Sequence, residues 1–177
     1  MKILNPKSYI LNFNSKAFTM IEMLVILGIL TVISGTLIAN IHIGERQIVL
    51  FREQAKVVSA LSKAKSSSVS IFGGAGVPCG FGVHFEAPRT FIIFKDLAVN
   101  CQTADRKYSG ETEIYESFQL DSGVAFDNLS LSDIVFIPPN PLVIITPSQD
   151  QATIIIKIVG GESSATVKIN SGGQIST

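Results

Sequence analysis

Ser15-Lys16-Ala17-Phe18-Thr19-Met20-Ile21-Glu22 opens the stretch that decides the fold, and an apolar run follows it as far as Ile43. Residues 18–43 number 26, fourteen of them are Leu, Ile, Val or Phe, and Glu22 is their only charge. A helix of this length measures roughly 39 Å, more than the ~30 Å hydrocarbon core of a bilayer. The apolar side chains contribute roughly −4 to −8 kcal/mol to insertion, against about +3 kcal/mol for one central acid. The sequence therefore predicts a transmembrane helix over residues 18–43.

The residues before this helix indicate its orientation. Residues 1–17 carry Lys2, Lys7 and Lys16 and no acidic residue, so the N-terminus is expected in the cytoplasm and the chain after Ile43 outside it. A secretory signal peptide is the wrong pattern, because its cleavage site follows the apolar region, whereas Ser15-Lys16-Ala17 precedes it. A plain signal anchor, in which Glu22 has no role, stays open.

The junction between Ala17 and Phe18, with Glu22 as the fifth residue after it, resembles the class III leader and N-terminal helix of type IV prepilins and pseudopilins. In that family a membrane peptidase removes the leader before the apolar segment, and a glutamate is the fifth residue of the mature chain. The resemblance implies cleavage between Ala17 and Phe18, N-methylation of Phe18 and an assembly role for Glu22. Family members more often carry Gly before the cut, where this chain has Ala17.

The resemblance also implies a function. The chain would be a minor pilin or pseudopilin subunit of a type IV pilus or type II secretion-type filament, and not an enzyme. Its partners would be the prepilin peptidase, other pilin or pseudopilin subunits, the inner-membrane assembly platform and, before assembly, the lipid bilayer. It would be a single-pass inner-membrane protein with a periplasmic or extracellular head. The alternative from a different class is a membrane-anchored extracytoplasmic binding domain that never enters a filament.

Composition leaves room for one small domain outside the membrane. The leader holds three of the fourteen basic residues and none of the fourteen acidic ones, so the remaining chain has eleven basic and fourteen acidic residues and a net charge of −3. Such a balance argues against nucleic-acid binding, and the last 60 residues contain only Lys157 and Lys168 as basic side chains.

Cys79 and Cys101 are the only cysteines. Outside the cytoplasm a disulfide is favoured, and closing a loop of about 20 residues would contribute ~3 kcal/mol in the chain-entropy model. Two free buried thiols are the alternative in a host without an oxidising compartment. A metal site with Cys79 and His84 is a further alternative, although the only other histidine, His42, lies at the membrane edge.

Helical periodicity continues beyond the apolar run to about Ser66. At 100° per residue the polar side chains fall within roughly 60° of the helical wheel. They are Glu45, Arg52, Lys56, Ser59 and Lys63. The broad opposite side holds the apolar residues Leu50, Phe51, Val57, Val58, Leu61 and Ala64. An amphipathic helix over 44–66 is therefore predicted to pack on a soluble domain. It either continues the first helix as a rod of about 73 Å or is separated from it near Gly44.

Residues 67–177 are predicted to form a β-rich head, whose strands follow the serines 66–68 and the glycines 73, 74 and 76. Two hairpins are predicted: strands 81–85 and 90–94 around Glu86-Ala87-Pro88-Arg89, and strands 113–120 and 124–131 around Asp121-Ser122-Gly123. Further strands are predicted at 134–137, 142–146, 152–159 and 166–170, with a short strand after Ser171-Gly172-Gly173. A long helix followed by six to eight strands predicts an α+β fold with an antiparallel sheet.

Parts of the head extend the resemblance. Gly82-Val83-His84-Phe85, Phe91-Ile92-Ile93-Phe94-Lys95-Asp96 and Gly110-Glu111-Thr112-Glu113-Ile114 are similar to the head of minor pseudopilin H of type II secretion and related minor pilins. A pilin-like fold is implied, with a long N-terminal helix whose second half packs on the sheet. Residues 98–109 are the least typical part.

No catalytic grouping is expected in this chain. With two histidines, one at the membrane edge, a Ser/His/Asp set is not credible. The carboxylates of Glu111, Glu113 and Glu116 are expected on a solvated strand face, with a capping or interface role open for Glu111. No glycine-rich phosphate-binding motif precedes a helix, so no cofactor is expected, and no metal.

Overall fold

The computed structural model describes residues 18–70, 77–139 and 142–177, except for the side chains of residues 39–43. The predicted leader 1–17, the three glycines between 73 and 76, and Asn140-Pro141 lie outside this description. Helix α1 is Met20–Val69, and a 3₁₀ turn is Glu111–Glu113. The strands are β1 Gly80–Glu86, β2 Thr90–Asp96, β3 Ile114–Gln119, β4 Val124–Asp127, β5 Asp133–Ile137, β6 Leu142–Thr146, β7 Gln151–Ile158, β8 Ser164–Asn170 and β9 Ile175–Ser176.

The chain divides into two units, Met1–His42 and Ile43–Thr177. In the first unit the described residues 20–42 belong to α1. The helix continues past Gly44 instead of ending there. The second unit, called the head below, contains the rest of α1 and all the strands.

The head is an α+β structure, as predicted, but its strands form two antiparallel sheets and not one. Sheet A has the strand order β3-β2-β1-β5-β6, and sheet B has the order β4-β7-β8-β9. One apolar core contains residues from α1 and from both sheets. β7 and β8 alternate between buried and more exposed residues, and their buried apolar residues belong to that core.

The first predicted hairpin is confirmed. Strands β1 and β2 pair in an antiparallel register in which Phe85 lies opposite Phe91 and Gly82 opposite Phe94. The ring of Phe94 lies across Gly82, where a Cβ atom would come within 2.6 Å of two ring carbons. A side chain at position 82 would therefore displace an aromatic ring that is fully buried.

The second predicted hairpin is wrong. β3 pairs with β2 in sheet A, whereas β4 pairs with β7 in sheet B. The backbone N–H of Leu120 donates to Arg89 O, and after a turn in which Asp121 Oδ1 accepts from Gly123 N the chain crosses to the other sheet. The crossing buries Val124. Burial in the common core therefore overrides the local tendency of adjacent strands to pair.

The face of α1 that packs in the head largely follows the predicted wheel. Its buried residues are Leu50, Glu53, Val57, Ala60, Leu61, Ala64 and Ser68. Phe51, predicted on this face, is instead 60% exposed. Polar side chains at the margins of the face donate to strand carbonyls, Gln54 to Thr166 O and Lys56 to Gln119 O. These contacts cover parts of the open edges of β8 and β3.

Candidate functional site

The apolar helix begins with a cap that the sequence contains but that periodicity does not reveal. Thr19 precedes the first helical residue, and its Oγ1 accepts a hydrogen bond from the backbone N–H of Glu22 at 3.3 Å. Thr19-Met20-Ile21-Glu22 has the Ser/Thr-x-x-Glu spacing of a capping box, the signal that identifies this arrangement. Glu22 lies in the first turn, where a carboxylate favourably meets the positive end of the helix dipole.

The helix after this cap has the length and composition needed to cross a membrane. Among the described residues one such segment occurs, Met20–Ile38, with a mean hydropathy of 2.3 and no part of it buried. Its large apolar side chains are exposed along the whole segment, from Met20 to Ile38. An apolar surface of this extent is unfavourable in water and is satisfied by lipid or by other apolar helices.

The predicted processing residues are only partly within the described chain. Ala17 lies outside it, and Phe18 lies just before the helix with its side chain exposed. Glu22 is exposed on the first turn, four residues after Phe18. The cleavage site and the assembly role of Glu22 therefore stay predictions.

In the head, Cys79 and Cys101 form a disulfide with a Cα–Cα distance of 5.1 Å. Cys79 is buried at the start of β1, whereas Cys101 is exposed. The guanidinium of Arg106 lies between them: Nη1 donates to Cys79 O at 2.9 Å, and Nη2 donates to Cys101 O at 2.5 Å. Nη1 also bonds the buried carboxylate of Asp96 at 2.9 Å. One cation thus joins both half-cystines and the end of β2, an arrangement that no sequence motif predicts.

Glu113 closes the loop that carries Cys101, and the expectation that it lies on a solvated strand face is wrong. Its side chain is 4% exposed, in the 3₁₀ turn before β3. Oε1 accepts from Leu97 N at 3.2 Å, and Oε2 accepts from Ser109 N at 2.7 Å. These two backbone donors hold the carboxylate inside the fold. Glu116 pairs with Lys63 of α1, while Glu111 is exposed.

His84 and Asp133 are opposite each other on neighbouring strands β1 and β5. His84 Nδ1 lies 2.8 Å from Asp133 Oδ1, and Ser132 Oγ donates to Asp133 Oδ2 at 2.6 Å. The ring of Tyr108 packs on the imidazole with centroids 4.8 Å apart. Burial alone would raise the pKa of the Asp133 carboxyl, but hydrogen bonds from His84 and Ser132 outweigh burial and hold that pKa below its ordinary value.

The chemistry available to these groups is limited. Ser132 donates to the carboxylate instead of to His84, so the imidazole does not act as a base for this hydroxyl. Cys79 is bonded to Cys101, which removes it from the predicted alternative of a metal site with His84. In the part of the chain that the structure describes, no group of three or more His, Cys, Asp or Glu side chains could hold a metal ion. The described contacts of these groups join separate segments of the head.

Comparison with known proteins adds no assignment: no family model matches the chain, and neither the curated proteins nor the solved structures contain a significant match.

Proposed function

We propose that this chain is the precursor of a minor pilin or pseudopilin subunit of a type IV pilus or type II secretion-type filament. The observation that carries the proposal is the helix Met20–Val69, whose exposed apolar part Met20–Ile38 begins three residues after the predicted cut and includes Glu22 as its only charge. The packing of the later part of α1 in a β-rich head further supports it.

In this proposal the prepilin peptidase removes residues 1–17, and the new amine of Phe18 becomes N-methylated. The helix anchors the subunit in the inner membrane, with the N-terminus cytoplasmic and the head periplasmic or extracellular. The assembly platform then transfers the subunit to the filament, where apolar helices of neighbouring subunits replace lipid. A carboxylate in such surroundings is costly unless it is paired. The cationic amine of a neighbouring Phe18 would pair with Glu22 and set the helix register.

Glu22 has two candidate roles that a substitution series separates. As the fourth residue of the capping box Thr19-Met20-Ile21-Glu22 it supports the start of the helix, and a glutamine serves that role almost as well. As the partner of a neighbouring amine it must carry a negative charge, which a glutamine lacks. Glu22→Gln therefore tests the charge, and Thr19→Ala, which removes the cap at a cost of about 1 kcal/mol, tests the helix start.

The test is co-purification of each variant with sheared filaments and with partner subunits, at matched membrane abundance. We expect Glu22→Ala and Glu22→Gln to insert and fold but to be lost from filaments, because an unpaired buried charge costs about 3–5 kcal/mol. Thr19→Ala should be incorporated close to the wild-type level. Wild-type incorporation of both Glu22 variants would reject the pairing. If the wild-type protein were also absent from filaments, the membrane-anchored extracytoplasmic binding domain would be the better assignment.

A further inference from the structure

The loop between β2 and the 3₁₀ turn is long for a compact domain. Residues 97–110 contain no helix or strand, and their conformation is held by a disulfide, an ion pair and several hydrogen bonds. Loops of more than about 12 residues without secondary structure are uncommon, and ordered ones usually have a function. This loop also coincides with the part of the head that is least typical of the pilin-like pattern.

The base of the loop is held by contacts that do not involve the sulfur atoms. We define the base as residues 106–110. In the base, Arg106 bonds Asp96 and Cys79 O, Ser109 N bonds Glu113, and Tyr108 N bonds Asp133. Arg106 adopts φ 59°, a left-handed conformation that is unfavourable for a residue with a side chain. Its charged contacts offset that cost, and both ends of the loop stay next to β2.

The tip of the loop, residues 98–105, is tied differently. Two hydrogen bonds join residues within the tip: Asn100 Oδ1 accepts from Gln102 N, and Asn100 O accepts from Thr103 N. Apart from contacts of Asp105 with the base, the described tip is joined to the head at Cys101, through the disulfide and the hydrogen bond from Arg106 Nη2, and at Ala98, whose carbonyl oxygen lies 3.7 Å from Cys79 Sγ. Since Cys101 is exposed, a reductant reaches the bond from solvent.

We propose that the tip is a redox-controlled conformational element on a redox-independent base. A dithiol reductant donates two electrons and two protons, the Cys79–Cys101 bond breaks to two thiols, and the reductant becomes a disulfide. Cys79 stays buried just before β1, where its N–H donates to Asp96 O at 2.7 Å. Cys101 then keeps its hydrogen bond from Arg106, and Ala98 O keeps its weak contact with Cys79 Sγ, which together are insufficient to order an eight-residue segment. Arg106 stays on Asp96, so the base remains closed.

The state of the tip determines how one apolar side chain is presented. Val99 is fully exposed at the tip, Leu97 beside it is half exposed, and residues 97–104 carry no charge. In the oxidised protein Val99 is displayed on a fixed turn, while in the reduced protein it is displayed on a mobile one. A redox change outside the cell membrane would therefore alter this surface without unfolding either sheet.

Hydrogen exchange of the full-length protein in detergent, with and without dithiothreitol, tests the proposal. Reduction should accelerate amide exchange in residues 98–105 by at least roughly tenfold while leaving residues 107–113 and β1 unchanged. Unchanged exchange in the tip would overturn redox control. Equal acceleration in the base and in β1 would overturn the separate base.

Trypsin, which cuts after Arg106 and Lys107, gives a second readout of the base. Both sites should resist cleavage in the oxidised and in the reduced wild-type protein. Reduced Arg106→Gln should be cut after Lys107 at least tenfold faster, whereas the matched control Arg89→Gln, in the β1–β2 turn, should behave as the wild type. Equal resistance of reduced Arg106→Gln would show that Arg106 does not close the base. The wild-type measurements decide the proposal by themselves if Arg106→Gln fails to fold.

Discussion

Four carboxylates are buried in the described part of the head, and three of them, Glu53, Asp96 and Asp133, have different partners. Glu53 lies between Arg52 and Lys56 of its own helix. Burial raises the pKa of Asp96 above its ordinary value, even though Arg106 acts in the opposite direction. At Asp133 the hydrogen bonds from His84 and Ser132 outweigh burial, so the pKa is lowered. The lowered pKa indicates that the charged form of the Asp133 carboxyl stabilises the head.

Asp133→Asn tests this directly. Because the pKa of Asp133 is lower in the folded protein than its ordinary value of 3.8, its stabilising effect is present above about pH 4 and is lost as the pH falls through the folded-state pKa. We expect the variant to lose about 1–3 kcal/mol of unfolding free energy at pH 7, and the difference from wild type to shrink below about pH 4. Urea unfolding across this pH range is the measurement. Asp150→Asn, at an exposed position, is the control, and a pH-independent difference would contradict the prediction.

At the scale of the element, α1 shows how far a helical wheel is reliable. The buried residues of α1 span about 100° of the helical wheel, from Ala60 to Leu61, and Glu53 lies within this arc at 0% exposure. Phe51 lies about 125° from the centre of that arc at 100° per residue, which explains its exposure. The wheel placed Phe51 on the broad apolar side, but the residues that pack in the head lie on a narrower arc that excludes Phe51 and includes Glu53.

Two alanine substitutions on α1 should therefore differ in their effect on stability. Leu61→Ala should lower the free energy of unfolding of the head by about 2–4 kcal/mol, because it leaves a cavity at a fully buried site. Phe51→Ala should change it by less than about 1 kcal/mol, since most of that side chain is already in contact with solvent. Denaturant unfolding monitored by far-UV circular dichroism compares the two. Equal losses would show that Phe51 is covered in the folded protein.

At the scale of the whole molecule, the two units differ in how their apolar residues are satisfied. The head encloses Phe91, Ile93 and Phe136 in a core shared by both sheets and α1. In the first unit, the apolar side chains of Met20–Ile38 are all exposed. The first unit therefore requires surroundings that the chain itself does not supply, and processing before Phe18 would determine which part of it remains.

Mass spectrometry of membrane-extracted protein should show a mature chain that begins at Phe18. The peptidase must accept the small side chain of Ala17, so Ala17→Gly should be cut at least as efficiently as wild type, and Ala17→Leu should accumulate as the uncut precursor. An intact Met1 start in a host with active prepilin peptidase would contradict both the cleavage site and the proposed function. Equal processing of Ala17→Leu would show that the pocket does not select a small residue.

What the sequence determined by itself is local. The long helix, the first hairpin and most later strands were predictable, because side-chain period and turn residues act over a few positions. The Thr19 cap could have been read from the spacing to Glu22. Only the tertiary structure decided that β3 and β4 belong to different sheets, that Glu113 is buried, and that Arg106 joins both half-cystines. These arrangements bring together segments far apart in the chain, as with His84 and Asp133, 49 residues apart. Their partners are selected by burial in one shared core, a quantity that no local pattern contains.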